Sequence, residues 1–258
     1  MSPLLQILID AALEAGHEIE RIYGEGCATE TKSDGSPVTA ADHAAEAIIL
    51  ARLGAAFPDI PVIAEEEACA GRIPEVGERF FLVDPLDGTR GFVERNGEFT
   101  VNIALVEHGS AVAGVIYAPD SHTLYYGAAG EGAFRRREGG EAEAISARFA
   151  PPAGLTAIAS RTTAAKTAEK LKHLPIADFA PSSSSFKFCM LAEGSADVYP
   201  RFGTTMEWDT AAGQAILEAA GGRVMELDEE AREVGPLRYG KVDRTFENPH
   251  FIAWGASQ

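Results

Sequence analysis

From Glu98 to Arg136 the sequence alternates apolar and polar residues in period two, through TVNIALVEH, AVAGVIYA, HTLYYGA and GAFRR. Turn residues break the pattern at His108-Gly109, Pro119-Asp120 and Gly130 to Gly132. Successive side chains of a strand point to opposite faces, and short turns join antiparallel neighbours, so this stretch is expected to be an antiparallel meander. What precedes it must cover it. Leu5, Leu8, Ala12, Ala15, Ile19 and Ile22 recur at steps of three and four, which predicts an amphipathic helix ending near Gly24. After KSDGSP, the stretch Thr39 to Asp42 has capping-box spacing, and Ala45, Ile48, Ile49, Leu53 and Phe57 continue a second helix up to Pro58. A short strand is expected at Pro61 to Ala64. The apolar run FFLV, residues 80 to 83, reads as a buried strand that stops where Pro85 removes a ladder donor.

Beyond the meander, the polar stretch REGGEAEA and then Ala150-Pro151-Pro152 suggest a seam near residue 150. After it, strands and helices alternate: LTAIAS, a helix around residues 164 to 173, a helix through 186 to 193, the strand ADVYPR, and a helix from Asp209 to Ala220. The expected fold class is α/β. Residues 1–150 form an α+β half with an antiparallel sheet, and residues 151–258 an α/β half.

With 46% hydrophobic residues, the 258-residue chain can bury a full core. No run approaches the roughly 18 apolar residues of a membrane span, and Asp10 and Glu14 interrupt the first apolar stretch, which has no basic flank. Secretion is not expected. Three cysteines, Cys27, Cys69 and Cys189, at wide spacings without a CxxC pair fit a reducing compartment and argue against a zinc site. The expected location is the cytoplasm, either free or peripheral on the inner face of the membrane. A formal charge of −17 disfavours a nucleic-acid polymer or an anionic bilayer as partner. It would also repel a small anionic substrate, unless carboxylates hold a divalent cation that reverses the sign locally.

VDPLDGT, residues 83 to 89, sets Asp84 and Asp87 three apart at the end of a buried strand. The bend lets both side chains, with the Leu86 carbonyl, converge on hard cations, while Gly88 and Thr89 offer backbone N–H groups to a phosphate. An isolated Asp-x-x-Asp also fits an ordinary turn and cap. Glu65-Glu66-Glu67, just after PVIA, alone fits a solvated charge run, and Asp209 at a helix start alone fits a cap. Four carboxylates at strand ends or helix starts read differently. At 4 Å each pair would repel by roughly 1 kcal/mol in bulk water and about 4 at an effective dielectric of 20, unless a cation sits between them.

AEEE (64 to 67), DPLDGT (84 to 89) and WDTAAG (208 to 213) resemble, in this order, the three signatures of the inositol monophosphatase superfamily. SPVTAAD (36 to 42), RNGEFTVNIALVEHG (95 to 109) and the closing FENPHF fit as well, so the resemblance covers essentially the whole chain. It implies a layered αβαβα sandwich and a Mg²⁺-dependent, lithium-sensitive phosphatase with two or three Mg²⁺ per site. It makes Glu65, Asp84, the Leu86 carbonyl, Asp87 and Asp209 the metal ligands. Thr89, with Asp42 or Glu66 behind it, would orient the attacking water. Asp42 keeps its capping-box reading beside this one, and Lys32 is either a surface lysine or a group approaching metal or substrate.

Within the superfamily, RNGEFTVNIAL, SSSSFKFC (182 to 189), AEGSADVYPRFG (192 to 203) and WDTAAGQA are similar to the bacterial-type 3'(2'),5'-bisphosphate nucleotidases of sulfate assimilation. This implies 3'-phosphoadenosine 5'-phosphate as substrate, with Ser184, Lys187 and Arg201 meeting the nucleotide beside Glu65, Leu86, Asp87, Gly88, Thr89 and Asp209. A substrate with two phosphates needs cations for the one not cleaved, and Arg offers a bidentate fork. Lys187 alternatively fits a helix-surface charge. Arg90-Gly91 and Ser183 depart from the usual nucleotidase pattern, which bears on the exact substrate and not on phosphatase chemistry. An inositol monophosphate, fructose 1,6-bisphosphate, and a non-catalytic phosphate-binding role remain alternatives. His17, His43, His108 and His122 lack ligand spacing, and Cys189 in FKFCML reads as a buried structural thiol.

Overall fold

The computed structural model describes residues 1–26, 28–31, 37–159, 164–182 and 184–256, with the backbone alone for 164–166. Lys32, Cys27 and Ser183 lie outside the described residues.

The chain opens with α1 (Pro3–Glu25), a small hairpin of β1 (Thr29–Thr31) and β2 (Pro37–Thr39), and α2 (Ala40–Ala56). Then come β3 (Val62–Ala64), α3 (Glu65–Cys69), β4 (Arg79–Asp87) and α4 (Thr89–Val93). The meander is β5 (Thr100–Glu107), β6 (Ser110–Ala118), β7 (Thr123–Ala128), β8 (Gly132–Arg137) and β9 (Glu143–Ile145). Strands β3 to β9 form one sheet in sequence order, antiparallel except for β3 beside β4. The rest of the chain is β10 (Leu155–Ala159), α5 (Ala164–Lys170), β11 (Ile176–Pro181), α6 (Phe186–Ala192), β12 (Val198–Arg201), α7 (Glu207–Ala219), β13 (Arg223–Leu227), β14 (Glu233–Pro236), a 3₁₀ turn (Val242–Arg244) and β15 (Phe251–Trp254). Its strands make a mixed sheet in the order β11-β10-β12-β15-β13-β14.

Period-two alternation assigns the layers. Phe81 and Val83 of β4, Ile103 and Leu105 of β5 and Val115 of β6 pack under α1 and α2, against Leu8, Ile19, Ile49 and Leu53. The intervening Phe80, Leu82, Ala104 and Ile116 face α6 and α7, whose Phe188, Leu191, Ile216 and Leu217 also pack on Val224 and Phe251 of the second sheet. The outer face of that sheet buries Leu155, Val198 and Ile252 with Leu171, just past α5. The result is a helix–sheet–helix–sheet–helix sandwich, the mixed α/β class expected. α7 lies directly on the first sheet because Gly114 of β6 has no Cβ. One there would sit 2.4 Å from the Ala212 carbonyl oxygen.

The structure corrects several local expectations. β4 does not stop at Pro85 but runs on to Asp87, because a register shift between Asp84 and Asp87 lets the ladder resume at Asp87↔Thr100. The predicted helix at 164 to 173 ends at Lys170, followed by turns. Glu143–Ile145, read as part of a polar seam, pairs with β8 as the sheet's last strand, and β11, β13, β14 and β15 went unread. These strands are short, and several are polar or edge strands, so neither alternation nor a closed apolar run marks them. Among the described residues no helix is long and apolar enough to cross a membrane.

Candidate active site

The β4 register shift builds the site. Between the pairs Asp84↔Asn102 and Asp87↔Thr100, β4 advances three residues while β5 advances two. Residues three apart on a regular strand face opposite sides; one extra residue restores the parity and lets both carboxylates act on one space. Asp84 is buried, 2% exposed, with its Oδ1 accepting the Leu86 N–H at 3.0 Å. Burial first, then the charges of Glu65, Asp87 and Asp209, and a hydrogen bond shared with the Glu65 carboxyl, push the Asp84 carboxyl well above the usual carboxylate range. Asp209, at the third position of α7, is pushed the same way by burial and then by Asp87 and Glu65, against the Met206 N–H, which Oδ2 accepts at 2.8 Å, and against Arg201. Four acidic groups from three distant segments therefore lie within electrostatic reach of one another.

As a donor set, carboxylates plus the Leu86 carbonyl fit a hard divalent cation. The oxygens are not closed into a cage. Asp87 Oδ2 accepts the Ser184 hydroxyl and the Ser185 N–H, each at 2.6 Å, and among the described residues no three His, Cys, Asp or Glu side chains are placed to hold a metal ion as they stand.

Thr89 begins α4. Gly88 before it adopts φ 93°, and a Cβ there would lie 2.5 Å from the Glu98 carbonyl oxygen, so the turn that presents Thr89 requires glycine. The Thr89 hydroxyl lies 3.0 Å from Asp42 Oδ1 and 3.1 Å from the Leu86 carbonyl, both acceptors for its single proton. Asp42 caps α2 and contacts Thr89 at once. Its Oδ2 takes the Thr39 N–H and hydroxyl, each at 2.8 Å, as the α2 capping box, and its Oδ1 faces Thr89. Glu66 is buried rather than solvated, and Glu67 pairs with Arg72 at 2.6 Å.

Sequence reasoning missed Glu46, one turn beyond Asp42 on the buried face of α2. Its carboxylate accepts the N–H groups of Glu66 at 2.8 Å and Glu67 at 3.0 Å, anchoring the helix start that carries the acidic triplet. Burial pushes its pKa up to about 7, against those two hydrogen bonds. The i, i+4 spacing to Asp42 was the available signal. Also missed were Thr100, Asn102 and Ser185, whose side chains join β5 to the loop before α6: Ser185 donates to Asn102 Oδ1 at 2.7 Å and lies 2.8 Å from the Thr100 hydroxyl.

Beside the carboxylates opens a cavity of about 410 Å³ whose lining includes Asp87, Ser184, Lys187, Tyr199, Arg201 and Asp209. Lys187 is not a helix-surface charge. It is 8% exposed, with its ammonium 5.3 Å from the Tyr199 ring centre. Arg201 ends β12 and donates to the Thr204 carbonyl at 2.9 Å, while its Nε is buried without a hydrogen-bond partner among the described residues. Ser184, in the left-handed region at φ 55°, spends its hydroxyl on Asp87. Cys189 is fully buried, as expected, and burial raises its thiol pKa.

The raised carboxyls give a pH dependence with a definite sign. A group whose folded pKa lies above its unfolded value favours the folded state below the unfolded value and loses that contribution as pH rises through the folded one. For Glu46 the window runs from 4.5 to about 7, and Asp84 and Asp209 act in the same direction. Thermal melts in chelator are expected to show a lower midpoint at about pH 8 than at about pH 5. Added Mg²⁺ should raise the midpoint more at the higher pH, where ligands need shed no proton. Equal Mg²⁺ gains at both pH values would refute the link between these carboxyls and a cation.

The comparisons with known proteins run the length of the molecule. The inositol monophosphatase family model matches residues 1–253. The 3'(2'),5'-bisphosphate nucleotidase CysQ of Salmonella typhimurium is 43% identical over 250 residues, 96% of this chain and 98% of that protein. CysQ of Escherichia coli K12 is 41% identical over the same length, with the same coverage. The crystal structure of CysQ from Bacteroides thetaiotaomicron, a bacterial member of the same family, is 39% identical with a TM-score of 0.79, covering 98% of this chain and 97% of that one. Inositol monophosphatase from Anabaena is 28% identical with a TM-score of 0.75, covering 98% and 91%. The family is one of metal-dependent phosphatases. With the AEEE, DPLDGT and WDTAAG carboxylates gathered at one end of a matching five-layer sandwich, and a family match from residue 1 to residue 253, this chain belongs to the inositol monophosphatase family.

Proposed function

We propose that this protein is a cytoplasmic 3'(2'),5'-bisphosphate nucleotidase that hydrolyses 3'-phosphoadenosine 5'-phosphate to adenosine 5'-phosphate and inorganic phosphate. The observation that carries the reading is the cavity in which Lys187 and Arg201, neither ion-paired to a described residue, stand next to the Asp87 and Asp209 carboxylates. A site for a single small phosphate has no use for further cations beside the reacting group; a substrate with a second phosphate does. The relatives named for this activity, at 41 to 43% identity over nearly their full length, support it.

In this reading Glu65, Asp84, the Leu86 carbonyl, Asp87 and Asp209 hold two or three Mg²⁺, which when bound supply Lewis-acid stabilisation of charge on the phosphate and acidify water. The Gly88 and Thr89 amides receive the 3'-phosphate. Thr89 directs its proton toward Asp42 or Leu86, so its lone pairs remain to accept a hydrogen bond from the attacking water and aim that water at phosphorus. Asp42 is fixed by the capping box and keeps Thr89 in that rotamer. Water adds to phosphorus in line as the P–O3' bond breaks, and the departing O3' takes up the proton that the water gives up, so that a 3'-hydroxyl and phosphate are released. Lys187 and Arg201 take the 5'-phosphate, with Ser184 at the junction of the two subsites.

Phosphate release measured on a panel tests the reading. The bisphosphate is expected to exceed inositol 1-phosphate and fructose 1,6-bisphosphate in kcat/KM, with activity lost in chelator. Arg201→Ala should lower kcat/KM for the bisphosphate by about ten- to a hundredfold, the loss of one charge-assisted hydrogen bond of roughly 1.5 to 3 kcal/mol. Preference for inositol 1-phosphate by the unmutated enzyme would leave the family and refute the substrate.

A further inference from the structure

Several arginines on this acidic chain are neutralised: Arg52 meets Glu14, Arg72 meets Glu67, Arg135 meets Glu143 and Glu193, and Arg148 meets Asp197. Others, Arg136 and Arg223 among them, have no ion pair with a described residue, but one such group of cations is gathered around a single cavity. Arg90, Lys187 and Arg201 line the same cavity, and none forms an ion pair with a described residue. Lys187 is nine-tenths buried with a ring face as its neighbour, and the Arg201 Nε is buried with no hydrogen-bond partner among the described residues. These three cations share the space with the Asp87 and Asp209 carboxylates, and with a cation bound on those carboxylates the three would be left to attract an anion.

Arg90 occupies a particular place among them. It follows Thr89 directly, on α4, so its backbone is fixed by the turn that presents the reacting phosphate while its side chain lines the cavity of the other two cations. We infer that Arg90 is a specificity-determining residue, the third cation of a clamp with Lys187 and Arg201 that selects substrates carrying a second phosphate. The inference rests on the nucleotidase reading. It makes Arg90, directly after DPLDGT, a working part of the pocket rather than a departure that weakens it. Because the residue is exposed and has no ion pair with a described residue, its replacement leaves no buried partner among them stranded and should not disturb the fold.

The experiment compares 3'-phosphoadenosine 5'-phosphate with adenosine 3'-phosphate, which lacks the second phosphate, for the native enzyme, Arg90→Gln and Arg90→Glu. The native enzyme is expected to favour the bisphosphate. Arg90→Gln should lower that selectivity ratio about tenfold, and Arg90→Glu by a further tenfold or so, because reversal adds repulsion to the lost attraction. The salt dependence of kcat/KM for the bisphosphate should become shallower in Arg90→Gln. Binding of adenosine 5'-phosphate in chelator, followed by calorimetry, should weaken in the same order. A native enzyme that does not distinguish the two substrates refutes the nucleotidase reading itself. A native preference with the ratio unchanged in Arg90→Gln, or with equal losses in Gln and Glu, overturns the role of Arg90 and leaves the nucleotidase reading standing.

Discussion

Asp84→Asn is expected to reduce turnover about a thousandfold or more while raising the melting temperature of the metal-free protein. The two effects have one cause. The Asp84 carboxyl is fully buried, shares a hydrogen bond with Glu65 and feels the charges of Asp87 and Asp209, so in the absence of a cation its ionised form is strained. An amide of the same volume keeps an oxygen for the Leu86 N–H and removes the charge, relieving the repulsion. In the proposed reading catalysis would lose the ion that this charge would hold, whose Lewis acidity would supply several kcal/mol of transition-state stabilisation. Asp209→Asn is expected to behave alike, since the amide oxygen still accepts the Met206 N–H. Initial rates in saturating Mg²⁺, beside calorimetric melts in chelator, decide the matter. A near-normal rate for Asp84→Asn would refute the site, and a lowered metal-free melting temperature would refute the account of its strain.

Gly88→Ala is expected to lower kcat about a hundredfold with a smaller change in KM. At φ 93° an L-residue is strained, and the new Cβ would stand 2.5 Å from the Glu98 carbonyl oxygen and 3.3 Å from the Phe99 Cα. Backbone atoms just before β5 cannot rotate aside as a side chain can. The turn must move, and it carries Thr89 away from Asp42, a displacement of about 1 Å being enough for such a loss. Stability should fall as well, by about 1 to 3 kcal/mol. Pairing the rate measurement with circular dichroism separates misplacement from unfolding. A folded Gly88→Ala with native kcat would show that the position of Thr89 is not critical.

The α1 and α2 faces, the capping box at Thr39 and Asp42, the meander and the three acidic signatures were all legible in the sequence, because each is a local pattern. Helical steps of three and four and strand alternation record which face is buried, and the structure buries those faces. The strands after Ala219 were not legible, since short strands paired in a mixed sheet carry no such record. Pro85 misled because a proline normally ends a ladder. Here it falls within the register shift, where no ladder bond is missed.

The sequence by itself determined the kind of chemistry available: which residues bear carboxylates, hydroxyls and cations, and the turn at Gly88 that only glycine can make. Tertiary structure decided what those groups do. Asp42 meets Thr89 across 47 positions, and Ser184 meets Asp87 across 97, because α2 and the loop before α6 are packed against the end of β4. The burial of Lys187, the raised Glu46 and the cavity shared by Arg90, Lys187 and Arg201 are likewise properties of assembled layers. The cost of a charge is set by the dielectric and the neighbours around it, and those are fixed only once the sheets and helices have packed.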